Sequence, residues 1–161
     1  MTELLIVYHS KTGGSRQMAE AAATAAEGEA PTVLKPAAEA GPEDLLRADG
    51  YIFCAPENLA AIAGVMKDFF DRCYYPVLGQ IEAKPYAQMV CAGSDGTNAV
   101  RQIARIAQGW RLREVQEPLI VCTHAQTPEE ILAEKTIAEE ELAKCRDLGQ
   151  ALAAGLSMGA F

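Results

Sequence analysis

In the stretch Leu4-Leu5-Ile6-Val7-Tyr8-His9-Ser10-Lys11-Thr12-Gly13-Gly14-Ser15, an apolar, strand-forming run gives way to hydroxyls and glycines. A helix-forming segment, Arg16 to Ala26, follows at once. This order predicts strand, turn and helix N-terminus. Such a turn gathers backbone N–H groups, hydroxyls and the positive end of a helix dipole around one point, where a phosphate is the natural guest. The turn has neither the GxGxxG nor the GxxxxGK[ST] pattern, because Lys11 precedes the glycines. Ser10, Thr12 and Ser15 spaced around Gly13-Gly14 suit a single terminal phosphate. Lys11 and Arg16 either assist it or face water. The competing reading is a capped helix after an ordinary turn.

Outward from this turn, apolar runs alternate with helical patterns. Strands are expected at Leu4–Tyr8, Thr32–Lys35, Tyr51–Cys54, Ala87–Cys91 and Leu119–Cys122. Helices are expected at Ser15–Glu27, Glu43–Arg47, Val65–Tyr74 and Asn98–Gln108. A last helical segment is expected from Pro128 to about Leu156, with Thr127 as N-cap and Ile131, Ile137, Leu142, Leu148 and Leu152 as its core stripe. The tail Gly155–Phe161 reads as loose. Five βα units in 161 residues predict one α/β domain, residues 1–161, with a doubly wound parallel sheet covered by helices on both faces. Ligands of such sheets sit beyond the C-terminal strand ends. That rule selects three loops: Ser10–Ser15, Pro56–Gly64 and Gly93–Asn98.

Composition narrows the function classes. With 14 basic and 22 acidic residues the net charge is −8, which argues against nucleic acid as a partner. Acidity serves solubility or docking on a basic redox partner. No apolar run approaches the roughly 20 residues of a membrane span. The start carries no leader pattern, and five scattered cysteines lack a CxxC spacing. Buried free thiols in a reducing cytoplasm are therefore expected. Two histidines, His9 and His124, offer no metal-ligand cluster, so no metal site is expected.

Ser10-Lys11-Thr12-Gly13-Gly14-Ser15 after a hydrophobic strand resembles the phosphate-binding loop of flavodoxins, Thr/Ser-x-Thr-Gly-x-Thr/Ser. Ala55-Pro56-Glu57, followed by Gly64-Val65-Met66-Lys67-Asp68, resembles a flavin-contacting segment of NAD(P)H-dependent FMN reductases and quinone-reducing flavodoxin-like proteins. Ala92-Gly93-Ser94-Asp95-Gly96 resembles their third flavin loop. The resemblance covers essentially the whole chain and implies a flavodoxin-like fold with strand order 2-1-3-4-5. It implies FMN held by Ser10, Lys11, Thr12, Gly13, Gly14 and Ser15 at the phosphate. Pro56, Glu57, Asn58, Leu59 and Ala60 would lie along the ring, and Ala92, Gly93, Ser94, Asp95 and Gly96 at its pyrimidine edge. Asp95 either accepts from the flavin or is a solvated turn residue. His124, after the fifth strand, is the candidate proton donor to a bound acceptor, and His9 a candidate cofactor contact.

The sequence departs from that pattern where aromatics are usual. Asn58 replaces the aromatic after Pro-Glu, Ala63 the proline before the glycine, and the third loop has no Tyr or Trp. An unstacked ring leaves space for a nicotinamide or quinone. Tyr74 and Tyr75 are candidates to supply an aromatic to another subunit, and Trp110 is expected in packing. The resemblance thus implies an enzyme moving two electrons from NAD(P)H to a quinone or similar small-molecule acceptor, as a homodimer or homotetramer. The alternatives are a flavodoxin-type carrier between redox proteins and a non-catalytic module that keeps the fold.

Overall fold

A computed structural model describes residues 2–161. The strands are β1 (Leu4–Tyr8), β2 (Thr32–Pro36), β3 (Gly50–Asn58), β4 (Ala61–Ile62), β5 (Pro85–Ala92), β6 (Arg113–Glu114) and β7 (Leu119–Cys122). The helices are α1 (Gly14–Glu27), α2 (Pro42–Arg47), α3 (Gly64–Val77), α4 (Thr97–Gly109), α5 (Pro128–Leu132) and α6 (Glu139–Met158). The sheet runs β2-β1-β3-β5, and both β6 and β7 pair with β5 along the far edge. These pairings are parallel, and the short β4 folds back antiparallel on β3. Counting β6 and β7 as one interrupted strand gives the expected 2-1-3-4-5 order. The interruption ends at Pro118, which has no N–H to give to a ladder. This is a flavodoxin-like α/β fold.

Alternation along the strands makes two cores. Leu5 and Val7 of β1, with Tyr51 and Phe53 of β3, point to the layer under α2, α3 and α4. Leu4, Ile6, Ile52 and Cys54 point to the layer under α1 and α6. The first layer is aromatic: Phe53 meets Phe70 edge-on at 5.1 Å, and Trp110 stacks on Tyr74 at 5.6 Å. The Trp110 indole N–H donates to the Tyr74 carbonyl at 3.0 Å. Tyr74 is thus committed within its own chain, while Tyr75 is exposed. The second layer is built on small residues. Ala19, Ala22, Ala23 and Ala26 of α1 are buried, and α6 crosses so closely that a Cβ at Gly149 would strike the Ala22 carbonyl.

Two sequence expectations are corrected. The segment from Pro128 onward is two helices, not one. Thr127 does cap α5, its hydroxyl accepting from the Glu130 N–H at 3.2 Å. The chain then leaves the helix because Lys135 and Ile137 bond elsewhere. The Lys135 N–H donates to the Thr12 carbonyl at 2.8 Å, and the Ile137 N–H to Gln17 Oε1 at 2.9 Å. Ile137 is buried outside any helix, and Ile131 is half-exposed. The tail also is not loose. α6 runs to Met158, the Ala160 N–H donates back to the Gly155 carbonyl at 2.9 Å, and the Phe161 ring covers Gly155.

The α1–α6 crossing generates a prediction. Gly149→Ala adds a favourable helix residue but overpacks the contact, and is expected to cost about 1–3 kcal/mol in urea unfolding. Unchanged or raised stability would mean the helices do not approach this closely.

Candidate active site

The three loops meet at the C-terminal end of the sheet around a cavity of about 540 Å³. Its floor is the turn after β1. Gly13 adopts φ +94°, a left-handed conformation that a side chain resists, and so delivers the chain into α1. A Cβ on Gly14 would come within 2.7 Å of Cys91 Sγ, so the turn lies directly on β5. Ser10 braces it, its hydroxyl accepting the Gly13 N–H at 3.0 Å. The first N–H groups of α1 have no intrahelical partner. No side chain caps this helix, and its first turn holds no acid. Ser15 is 2 % exposed, and its buried hydroxyl has no hydrogen-bond partner among the described residues. A buried hydroxyl left unpaired costs about 1–3 kcal/mol, so an acceptor belongs there.

The neighbouring α4 is treated oppositely. The Glu57 carboxylate crosses from β3 to accept the Gly96 N–H at 2.8 Å and the Ala99 N–H at 3.1 Å. This caps α4 from outside its own segment, a favourable place for a negative charge. Glu57 therefore locks two loops together, and the Gly96 N–H is occupied internally. Asp95 bonds the Thr97 N–H at 3.2 Å and hydroxyl at 2.8 Å and does not line the cavity. His124 is exposed with φ +62°, its N–H donating to the Gly93 carbonyl at 2.8 Å. Its neighbours Thr123 and Ala125 line the cavity, but the histidine does not. Gly13 likewise faces a second cavity on the outer side of the turn. Ser10, Lys11, Thr12, Gly14, Ser15, Pro56 through Ala60, and Ala92 through Ser94 all line the inner cavity.

The second loop is not a loop. β3 continues through Pro56, Glu57 and Asn58, and β4 returns antiparallel, with Asn58 opposite Ala61. Leu59 and Ala60 make the two-residue turn, at φ +52° and +61°. Such turns favour Asn-Gly, and a left-handed conformation costs an ordinary residue about 1–2 kcal/mol. Asn98 Nδ2 donates to the Ala60 carbonyl at 2.6 Å and helps hold the turn. The strain sets Leu59 at the cavity rim with its side chain fully exposed (101 %).

Other lining residues come from a segment distant in sequence. α5 places Ile131 (50 % exposed) and Leu132 (63 %) on the cavity. Lys135 follows, its Nζ 3.5 Å from the Thr12 hydroxyl. Gln17 holds this segment in place, donating to the Lys135 carbonyl at 2.7 Å while accepting from Ile137. The only sequence signal for Lys135 is that it breaks an acidic run. Cys91 also lines the cavity, and burial pushes its thiol up to about 11. It is a neutral wall at physiological pH. No aromatic ring lines this cavity among the described residues.

Relaxing the strained hairpin is the direct check on its geometry. Leu59-Ala60 replaced by Asn-Gly is expected to stabilise the protein by about 1 kcal/mol or more in urea unfolding. Equal or lower stability would contradict the left-handed assignment.

The family profile described as NADPH-dependent FMN reductase matches residues 16–127. A flavodoxin of Aquifex aeolicus (strain VF5) is 36% identical over 86 residues, 52% of this chain. The match spans 46% of that relative's length. Among solved structures, a flavodoxin from the domain Archaea superposes with TM-score 0.78 at 16% identity, covering 96% of this chain and 99% of that one. A WrbA-like flavodoxin of Agrobacterium tumefaciens gives TM-score 0.73 at 18% identity, covering 98% and 99%. At those identities the likeness establishes the fold. The profile matches more than half of the chain, which belongs to the NADPH-dependent FMN reductase family, one of flavodoxin-like FMN-binding oxidoreductases.

Proposed function

We propose that the protein is an oxidoreductase that uses NAD(P)H and FMN to pass two electrons to a quinone or a similar small acceptor. The observation that carries this reading is the aliphatic mouth of the inner cavity. Leu59, Ile131 and Leu132 stand exposed around it, and no aromatic ring among the described residues lines it. A second planar ring has room to stack there.

The unpaired Ser15 hydroxyl and the uncapped N-terminus of α1 suit the FMN phosphate. Ser10, Lys11, Thr12, Gly13, Gly14 and Ser15 would hold it, with Lys135 adding a positive charge beside Thr12. Pro56, Asn58, Leu59 and Ala60 would flank the ring, and the backbone of Ala92, Gly93 and Ser94 would face its pyrimidine edge. Glu57 would act through Gly96 and Ala99 by fixing the two ring loops against each other. Bound there, FMN supplies the two-electron chemistry. The chain's own contribution is to orient two flat molecules and keep water from between them. Five free thiols fit a reducing cytoplasm, and exposed Tyr75 and Leu78 offer an apolar contact for a homodimer or homotetramer.

The carrier alternative is favoured by one feature. Glu129, Glu130 and Glu134 stand exposed beside the same apolar mouth, a pattern that suits docking of a basic redox protein. Turnover separates the two readings. FMN-loaded protein is expected to oxidise NADH or NADPH, and benzoquinone to accelerate it. No turnover with either nucleotide would overturn the enzyme reading in favour of the carrier. Thr12→Glu, which sets a carboxylate in the turn, is expected to abolish FMN binding by absorption titration. Unchanged affinity would refute the phosphate assignment.

A further inference from the structure

The turn after β1 has two sides. The inner side faces the cavity described above. The outer side faces a second cavity of about 490 Å³, which shares Ser10, Lys11, Thr12 and Leu132 with the first. The turn is therefore a partition between two spaces. A phosphate held on it need not be the end of a ligand.

The outer cavity has the chemistry of a nucleoside phosphate site. Lys11 and Arg16 stand on the side of the turn. Lys11 is exposed and makes no ion pair among the described residues. Arg16 is shared with Glu20 at 3.3 Å and Glu134 at 3.8 Å. Of the two cations lining the outer cavity, Lys11 is thus the one without a carboxylate partner among the described residues. Tyr8, His9 and Pro36 present flat or ring surfaces around the same space. Burial lowers the pKa of His9, so that its ring is neutral at physiological pH. A flat heterocycle packs on such rings. The Glu134 carboxylate at the rim suits sugar hydroxyls or an exocyclic amine, and repels a bare anion. A cation by the turn, rings at the wall and a carboxylate at the rim match phosphate, base and sugar together.

We propose that the outer cavity binds the adenosine 5′-phosphate end of a dinucleotide whose other end reaches the inner cavity. This rests on the reading of the turn as a phosphate site. Two dinucleotides carry that end, a flavin dinucleotide and the nicotinamide dinucleotides.

The probe is AMP, titrated into FMN-loaded protein by calorimetry and amide NMR. Saturable binding that shifts the Tyr8, His9 and Ala38 amides is expected. Ala38 is exposed and lines only the outer cavity. Ala38→Glu, a bulky carboxylate projected into the outer cavity that fills space and repels the AMP anion, is expected to weaken AMP about tenfold or more. Retained FMN affinity in that variant shows that the fold and inner cavity are intact. Absence of AMP binding to FMN-loaded wild type, or AMP binding indifferent to Ala38→Glu, overturns the proposal. Failure of FMN itself to bind would instead overturn the reading of the turn. The source follows from two further arms. AMP competing with NADPH in turnover assigns the cavity to the nicotinamide dinucleotide. Ala38→Glu weakening FAD but not FMN on flavin-free protein assigns it to the flavin dinucleotide.

Discussion

The N-terminus of α1 ends in an unmet demand for negative charge, and the site is arranged around it. Each of α2, α5 and α6 carries acids in its own first turn. α4 borrows Glu57 from β3. α1 and α3 have neither, but only the first turn of α1 buries a serine hydroxyl with no partner among the described residues. A buried polar group of that kind is tolerated where something outside the chain completes it. Everything that fixes α1 also fixes this demand: the close seat of Gly14 on Cys91, the bracing by Ser10, and the packing of α1 against α6.

Around that point the chain spends strain and exposed apolar surface on shaping a mouth. Leu59 and Ala60 hold left-handed backbone that a glycine would take without cost. Ile131 and Leu132 stand on a five-residue helix that Gln17 and Lys135 tie to the turn. Neither arrangement stabilises the folded chain by itself. Both place aliphatic side chains at the rim of one cavity, and Glu57 keeps the β3 and β5 ends of that cavity in fixed relation. The acidic groups nearby are withdrawn: Glu57 caps a helix, Asp95 serves its own turn, and the Cys91 thiol is held neutral by burial. What remains is a site for positioning, consistent with a family in which the cofactor brings the reactivity.

Much of this was legible because it is local. The run Leu4–Tyr8 followed by hydroxyls and glycines is a contiguous signal, and the alternation of apolar runs with helical patterns predicts the parallel sheet, while its strand order came from the resemblance. The hairpin at Leu59-Ala60 was not legible, because its residues are not those that such turns favour. Glu57 was visible as part of a motif, but its partners Gly96 and Ala99 lie some forty positions on. Lys135 and Ile137 bond to residues more than a hundred positions away. Those bonds override a helical stripe that local periodicity extends through them, since tertiary contacts outweigh propensity. The missing aromatics were read directly, and the aliphatic residues that stand in their place came only with the fold.

Among the described residues the Ser15 hydroxyl is unpaired, and a cofactor phosphate would complete it. The decisive variant is Ser15→Ala, measured for both flavin-free stability and FMN affinity. Removing an unsatisfied hydroxyl is expected to leave flavin-free stability unchanged or to raise it by up to about 1 kcal/mol, while FMN affinity falls about tenfold or more. Loss of flavin-free stability with FMN affinity unchanged would mean that the Ser15 hydroxyl is satisfied within the chain and does not meet the phosphate.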